Sequence, residues 1–144
     1  MKDGLRLVLL GFVPLLVGYL LNYVFLLLPG SPFFFAIVLL LLWAVLCRKK
    51  AMLGLHPLLQ ALLMNGVSLV MLLLTVIQEY IVGGYWANIF GLLSQVCFLP
   101  CLSLVAVFMG WFTSTLRLVP IYAAEWLLMF AASAIGITVN NRRT

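Results

Sequence analysis

Charged residues are scarce in this chain: 8% of its 144 residues are charged, and the acidic ones are only Asp3, Glu79 and Glu125. Soluble domains are about a quarter charged and about half apolar, whereas this sequence is 67% hydrophobic, with a mean hydropathy of +1.29. A soluble fold of this size has too much surface for its volume to hide so many apolar side chains. The composition therefore excludes a soluble domain and predicts one integral membrane domain over residues 1–144, an all-α transmembrane helical bundle.

The residues that enzymes and metal sites need are also scarce. His56 is the only histidine and lies beside Pro57 near a predicted membrane boundary, which is more typical of an interface than of a zinc site with several ligands. Cys97 and Cys101 are four residues apart, which is not the spacing of a redox pair, and Cys47 stands alone. The sequence has no nucleophile elbow, phosphate loop or paired carboxylates. It therefore predicts neither an enzyme nor a bound cofactor or metal.

The basic residues form short clusters beside the apolar runs. These clusters are Lys2 with Arg6, Arg48 to Lys50, Arg117, and Arg142 with Arg143. Such placement is typical of topology determinants and of contacts with anionic headgroups, and it argues against nucleic-acid binding. Their distribution favours a protein of the cell membrane with a cytoplasmic N-terminus, which places Arg117 on the cytoplasmic side and the two terminal arginines outside.

Apolar runs long enough to cross a membrane, about 20 residues each, divide the chain. We predict five spans, at about 5–28, 33–47, 56–77, 87–112 and 116–139. Pro100 predicts a kink within the fourth span. Four or six spans remain open alternatives, because either count would bring Arg142 and Arg143 to the cytoplasmic side.

Polar and small residues share one face in four of the five predicted spans. The faces are Gly4, Gly11, Gly18 and Asn22; Ala61, Asn65, Ser68, Thr75 and Glu79; Gly84, Asn88, Gly91, Gln95, Ala106 and Thr113; and Glu125, Ala132 and Gly136. Membrane helices pack through such residues. We therefore expect these four spans to form the interior. The second span is apolar on all sides and is expected at the periphery, facing lipid or a partner protein.

Glu125 is the acidic residue that lies deepest in a predicted span. An ionised carboxylate at such depth costs about 2.5–3.5 kcal/mol or more, so it faces the interior and often has a function. Counting from the span ends places Glu125 level with Asn65 on the cytoplasmic side, and Asn22 level with Gln95 on the outer side. We take these four residues and Ser68 as candidate substrate-binding or proton-binding residues. Hydrogen bonding that only fixes the bundle is the alternative.

Two functional classes follow from this pattern. The first is a small transporter or channel-like protein that uses the intramembrane carboxyl of Glu125 and assembles as an oligomer, because five helices enclose little volume. The second is a non-catalytic accessory or docking subunit of a larger membrane complex, with the second span and the aromatic residues Tyr80, Tyr85 and Trp86 as docking faces. In both classes the partners are the lipid bilayer and further membrane subunits, either copies of this chain or other proteins.

Overall fold

A computed structural model describes residues 2–27, 32–51, 55–83, 88–111 and 117–141, and these residues form helices and short connections without a strand. The helices are α1 Lys2–Leu10, α2 Val13–Leu27, α3 Pro32–Lys50, α4 Pro57–Met64, α5 Gly66–Ile77, α6 Ile89–Gly110 and α7 Leu118–Asn141, and a π-helical turn over Gln78–Val82 extends α5. Four helical stretches are long and apolar enough to cross a membrane, or five if α4 and α5 count as one span. The predicted all-α membrane bundle is confirmed.

The first span is interrupted after its second turn, where α1 ends and α2 begins. Pro14 lacks an N–H, and its ring excludes the carbonyl of Leu10 from a helical position. The chain responds with tighter bonds, from Gly11 N to the Val8 carbonyl (2.9 Å) and from Phe12 N to the Leu9 carbonyl (3.2 Å). The break lies within the first predicted span, and residues Gly4–Val24 still form one stretch long and apolar enough to cross a membrane.

The third span is also broken. Asn65 separates α4 from α5, and the two helices meet at 61°. Its φ of −105° and ψ of 12° depart from helical values. The N-terminal bound was predicted correctly, because α4 begins at Pro57, the position where a helix tolerates proline. The bend at Asn65 was not predicted.

The helix α3 packs on two other helices, although it is the least buried of the candidate spans, in line with the expectation that most of its surface faces outward. It makes its most extensive contact with α7 and also packs on α6. Its buried residues, Ala36, Trp43 and Cys47, recur at helical spacing on one face. Beside them, Gly136 of α7 lies so close to the Ala44 carbonyl that an added Cβ would overlap it. Ala36 and Cys47 are small and Trp43 is large, so this face does not show as a continuous stripe of polar or small residues.

The helices α6 and α7 begin at the same end of the bundle. Gln78 Nε2 donates to Asn88 Oδ1 (2.8 Å) at the start of α6, and the neighbouring Glu79 Oε2 accepts from Val119 N (3.0 Å) at the start of α7. The sequence prediction, in which successive spans alternate in direction, placed these two starts at opposite ends of the bundle, whereas these contacts bring them to the same end. Arg117 therefore lies at the Glu79 end of the bundle. Residues 112–116 of the connection, and the arginines at 142 and 143, lie outside the described part.

Further contacts confirm that α6 and α7 run in the same direction. The ring of Phe98 stacks on Tyr122 with centroids 4.5 Å apart, and Cys101 N bonds to Glu125. In both pairs the α7 residue follows the α6 residue by the same number of positions in the sequence. The C-terminal half of α7 reaches the other end, where Ile137 packs in one cluster with Leu7 and Cys47. The end of α7 thus lies beside the start of α1 and the end of α3.

Candidate functional site at a proline-interrupted helix

The carboxyl group of Glu125 lies fully buried against α6. Its Oε1 accepts a hydrogen bond of 3.0 Å from the backbone nitrogen of Cys101. The preceding residue is Pro100, which lies inside α6 and has no N–H of its own. In lipid, every backbone donor must find a partner within the protein. The Glu125 carboxyl supplies that partner at the residue after the proline.

The carbonyl that proline leaves without a helical donor is that of Val96, four residues before Pro100. Gly18 of α2 packs directly on this oxygen, and its Cα is so near that an added Cβ would overlap the Val96 carbonyl and contact Pro100 Cδ at 3.3 Å. The interruption of α6 is therefore covered on one side by Gly18 and on the other by Glu125. Sequence periodicity placed both residues on interior faces without showing that they serve the same break.

The second carboxyl oxygen of Glu125 has no hydrogen-bond partner, although it is buried. Around it, Cys97 and Cys101 are also buried and present as free thiols. Buried polar atoms are nearly always paired, so an orphaned carboxyl oxygen is unusual. No group of three or more His, Cys, Asp or Glu side chains that could hold a metal ion is found among the described residues.

Asn65 is the centre of a separate polar cluster. Its Nδ2 donates to Ser133 Oγ of α7 and to the Ala61 carbonyl, both at 2.8 Å. Its backbone carbonyl accepts from Ser68 Oγ at 3.0 Å and from Trp126 Nε1 at 3.2 Å. These bonds satisfy the backbone where α4 gives way to α5. The side-chain Oδ1 of Asn65, also buried, has no partner.

Glu125 and Asn65 are not at the same depth, which corrects the predicted pairing. The Asn65 side chain bonds to Ser133, about 12 Å along α7 from Glu125, and its carbonyl accepts from Trp126, so Asn65 lies between these two levels of α7. The error follows from the direction of α7: because this helix begins at the Glu79 end, Glu125 is near that end and Asn65 is nearer the other. Ser68 does lie with Asn65, as predicted.

The second predicted pair is not formed either. Asn22 is exposed on the outer surface of α2, and Gln95 is half-buried on α6. Next to Asn22, the hydroxyl groups of Tyr19 and Tyr23 lie 3.0 Å apart on the same exposed surface. The buried polar residue of this part of α6 is Ser94, whose Oγ donates to the Phe90 carbonyl at 2.9 Å. Gly18, one turn before Asn22 on α2, packs on Val96 of α6, so the packed face of α2 does not extend to Asn22.

Several buried polar residues were not singled out from the sequence. They are Gln60, Gln78, Ser94 and Ser133. Ser133 follows Ala132, which the sequence placed on the interior face but which is half-buried. One position along α7 turns a side chain by about 100°, which decides whether it can form this hydrogen bond. A serine one residue from a small-residue face was the available signal.

The two interrupted helices meet at their breaks. Gly11, at the α1–α2 junction, would place a Cβ 3.0 Å from the Met64 carbonyl and 3.2 Å from Val67 Cγ2, and these two residues flank the α4–α5 junction. A third interruption, at Pro100, is reached from α2 through Gly18. The interior of the bundle thus contains two junctions of non-helical backbone, which membranes tolerate only where protein or a cavity covers it.

An apolar cleft of about 150 Å³ opens beside this site. Its floor is formed by Pro100 and Cys101 of α6 and Met129 of α7, and its walls are α2 and α3, with Trp43 among the lining residues. Trp43 Nε1 is buried and has no hydrogen-bond partner. Cys101 connects this cleft to Glu125 through the backbone bond.

Comparison of the chain with protein-family models, with curated proteins and with solved structures found no match.

Proposed function

We propose that this chain is a small membrane transporter or channel-like protein that moves protons or small cations, with Glu125 as the group that binds them. The observation that carries the proposal is the Glu125 carboxyl itself. One oxygen is held by Cys101 N at 3.0 Å, and the other is buried without a partner. Buried intramembrane carboxyls are rare and mark proton relays and ion pathways.

The surroundings of Glu125 link its charge to the shape of the backbone. A proton or cation that reaches the orphaned oxygen changes the strength of the bond from Cys101 N, because a charged carboxylate is the stronger acceptor. That bond lies next to Pro100, where α6 lacks its regular ladder. Binding of a proton or cation at Glu125 therefore changes the hydrogen bonding of the turn of α6 that contains Pro100.

Interrupted helices in contact are a further argument for transport. Transporter sites are commonly built where discontinuous helices expose backbone groups inside the membrane. Here the α1–α2 and α4–α5 junctions touch through Gly11 and the Met64 carbonyl. We propose that Asn65 and Ser68, at the second junction, line the same route toward the other end of the bundle.

Localisation and assembly belong to the same proposal. The apolar helices make the chain an integral membrane protein, and we propose the cell membrane as its location, with the N-terminus in the cytoplasm on the basis of Lys49 and Lys50 at that end. The positive-inside rule supports this orientation. We also propose that several copies assemble, because one chain of this size encloses little volume.

The test is a flux measurement in proteoliposomes that enclose a pH-sensitive dye, with a potassium diffusion potential as the driving force. Wild-type protein should acidify or alkalinise the lumen, or carry a monovalent cation, and Glu125→Gln should abolish the flux. The matched control is Glu79→Gln, since Glu79 also accepts a backbone hydrogen bond, from Val119 N, but lies at the start of α7. Both substitutions keep an acceptor oxygen, so folding should survive in both. Unchanged flux in Glu125→Gln contradicts the proposed role.

A second function, as an accessory subunit of a larger membrane complex, is favoured by one observation. Asn22 faces outward from α2, beside the hydroxyls of Tyr19 and Tyr23, and polar side chains on an outer helix face are suited to bonding with a partner helix. Of the aromatic residues expected from the sequence to dock a partner, Tyr80 is exposed, and Tyr85 and Trp86 lie outside the described part of the chain. Absence of any proton or cation flux, together with a membrane protein that co-purifies in fixed ratio, would establish this function instead.

A further inference from the structure

A second concavity lies on the same side of the bundle as the apolar cleft. It has a volume of about 520 Å³ and is lined by Arg6, Leu10, Lys49 and Lys50 together with neighbouring residues of α1 and Ala51. Three of its side chains are cationic, and none of its lining residues is acidic. The apolar cleft contains no charged residue. The basic pocket is thus suited to a charged headgroup, and the apolar cleft is suited to a hydrocarbon chain.

The basic pocket and the apolar cleft form one groove. On the first span, Leu10 lines the pocket, and Val13 and Pro14 line the cleft; on α3, Lys49 and Lys50 line the pocket, and Leu46 lines the cleft. On each side the two sets are therefore about one helical turn apart. The groove exists because α2 and α3, although consecutive, each pack on α6 and have little contact with each other.

The dimensions of the groove match one leaflet of a bilayer. From Leu39, at the deep end of the cleft, to Lys50, in the basic pocket, α3 rises about 16 Å. Half of the hydrocarbon core of a membrane is about 15 Å. The groove is therefore about as long as a lipid acyl chain whose headgroup lies at Lys49 and Lys50.

We propose that this groove is a binding site for one anionic phospholipid, with its phosphate group at Arg6, Lys49 and Lys50 and one acyl chain in the cleft between α2 and α3. Charge complementarity selects an anionic headgroup over a zwitterionic one, because clusters of Lys and Arg at the end of membrane helices bind anionic lipids. The acyl chain covers the surface above Pro100 and Cys101, which keeps water from the weakened turn of α6. The site is independent of any transport activity.

Quenching of tryptophan fluorescence by brominated lipids tests the site directly. Wild-type protein and Trp43→Phe are reconstituted into phosphatidylcholine vesicles that contain increasing fractions of dibrominated phosphatidylglycerol or dibrominated phosphatidylcholine. The difference between the two proteins isolates Trp43, which lines the cleft. We expect phosphatidylglycerol to quench this signal at a lower mole fraction than phosphatidylcholine does.

Charge substitutions locate the headgroup. Replacement of Lys49 and Lys50 by Gln should weaken the preference for phosphatidylglycerol roughly fivefold for each lysine. Arg117→Gln is the control, because Arg117 lies at the other end of the bundle and should leave the preference unchanged. Equal quenching by the two lipids in the wild type overturns the proposal, and so does an Arg117→Gln effect as large as that of one lysine, because it would indicate diffuse surface charge.

Substitutions in the cleft test the acyl-chain site. Val17 lines the cleft, whereas Leu16 is 61% exposed on another face of α2. Val17→Phe should reduce the quenching of Trp43 by both lipids, and Leu16→Phe should not. If Val17→Phe leaves quenching by both lipids unchanged, the cleft holds no acyl chain and the proposal fails.

Discussion

Glu125 Oε1 lies 3.0 Å from Cys101 N, so a side chain of α7 completes the backbone of α6 at the residue that follows Pro100. Proline disturbs the helical ladder at this point, and an acceptor for the Cys101 N–H is valuable in lipid, where an unpaired polar group is costly. The hydrogen bond from Cys101 N makes Glu125 of α7 a support for the structure of α6. The second carboxyl oxygen of Glu125 remains available for another role.

Glu125→Leu should lower the free energy of unfolding by about 1–3 kcal/mol, because the buried Cys101 N–H loses its acceptor. Glu125→Gln keeps an acceptor oxygen and resembles the neutral acid, so its loss should be clearly smaller. Unfolding of the purified protein by sodium dodecyl sulfate in mixed micelles measures both. Equal losses for Leu and Gln would show that the bond to Cys101 contributes nothing.

The same bond should be coupled energetically to the proline. Pro100→Ala restores an N–H at residue 100 and lets Cys101 N return toward the helical ladder. In the Pro100→Ala background, Glu125→Leu should therefore cost less than it does in the wild type. A double-mutant cycle measures this difference. Strict additivity of the two substitutions would contradict the coupling.

Glycines at helix contacts should be intolerant of even one methyl group. Gly18→Ala and Gly136→Ala each place a Cβ against a neighbouring carbonyl, of Val96 and Ala44, and forced repacking of this kind costs about 1–3 kcal/mol. Gly66→Ala is the control, because nothing lies within 4 Å of its Cβ position. Thermal unfolding in detergent should show losses at the first two positions and none at the third.

Cysteine labelling should place residues 50 and 117 on opposite sides of the membrane. In a background without Cys47, Cys97 and Cys101, Lys50→Cys and Arg117→Cys should react with a membrane-impermeant maleimide from different sides of intact vesicles. Asn140→Cys, near the end of α7, should react from the same side as Lys50→Cys. If positions 50 and 117 react from one side, α7 runs opposite to the direction described here.

The element types follow from the sequence because apolar length and the residues at helix ends determine them. Pro57 at a first helical turn and Asn88 as a helix cap, whose Oδ1 accepts from Gly91 N at 3.0 Å, act through contacts within one or two turns. The bend at Asn65 depends on Ser133 and Trp126, more than 60 residues away. A pattern within one span contains no information about such partners.

The candidate site was predictable in part for the same reason. Glu125 is recognisable from the sequence as a buried carboxyl, because charge in an apolar run has to face the interior. Its partner is a backbone N–H, which no residue type reveals. The pairing of Glu125 with Asn65 failed because it assumed that spans alternate in direction, while Glu79 in fact holds the start of α7 at the Gln78 end.

The bend at Asn65 also sets the thickness of membrane that this protein fits. The eight residues of α4 are about 12 Å long, and at 61° to α5 they add only about 6 Å along the direction of that helix. Straightening the junction would therefore lengthen the pair by about 6 Å, a change comparable to the difference in hydrocarbon thickness between thin and thick biological membranes. A change of bilayer thickness that straightened this junction would have to act against the hydrogen bonds of Asn65.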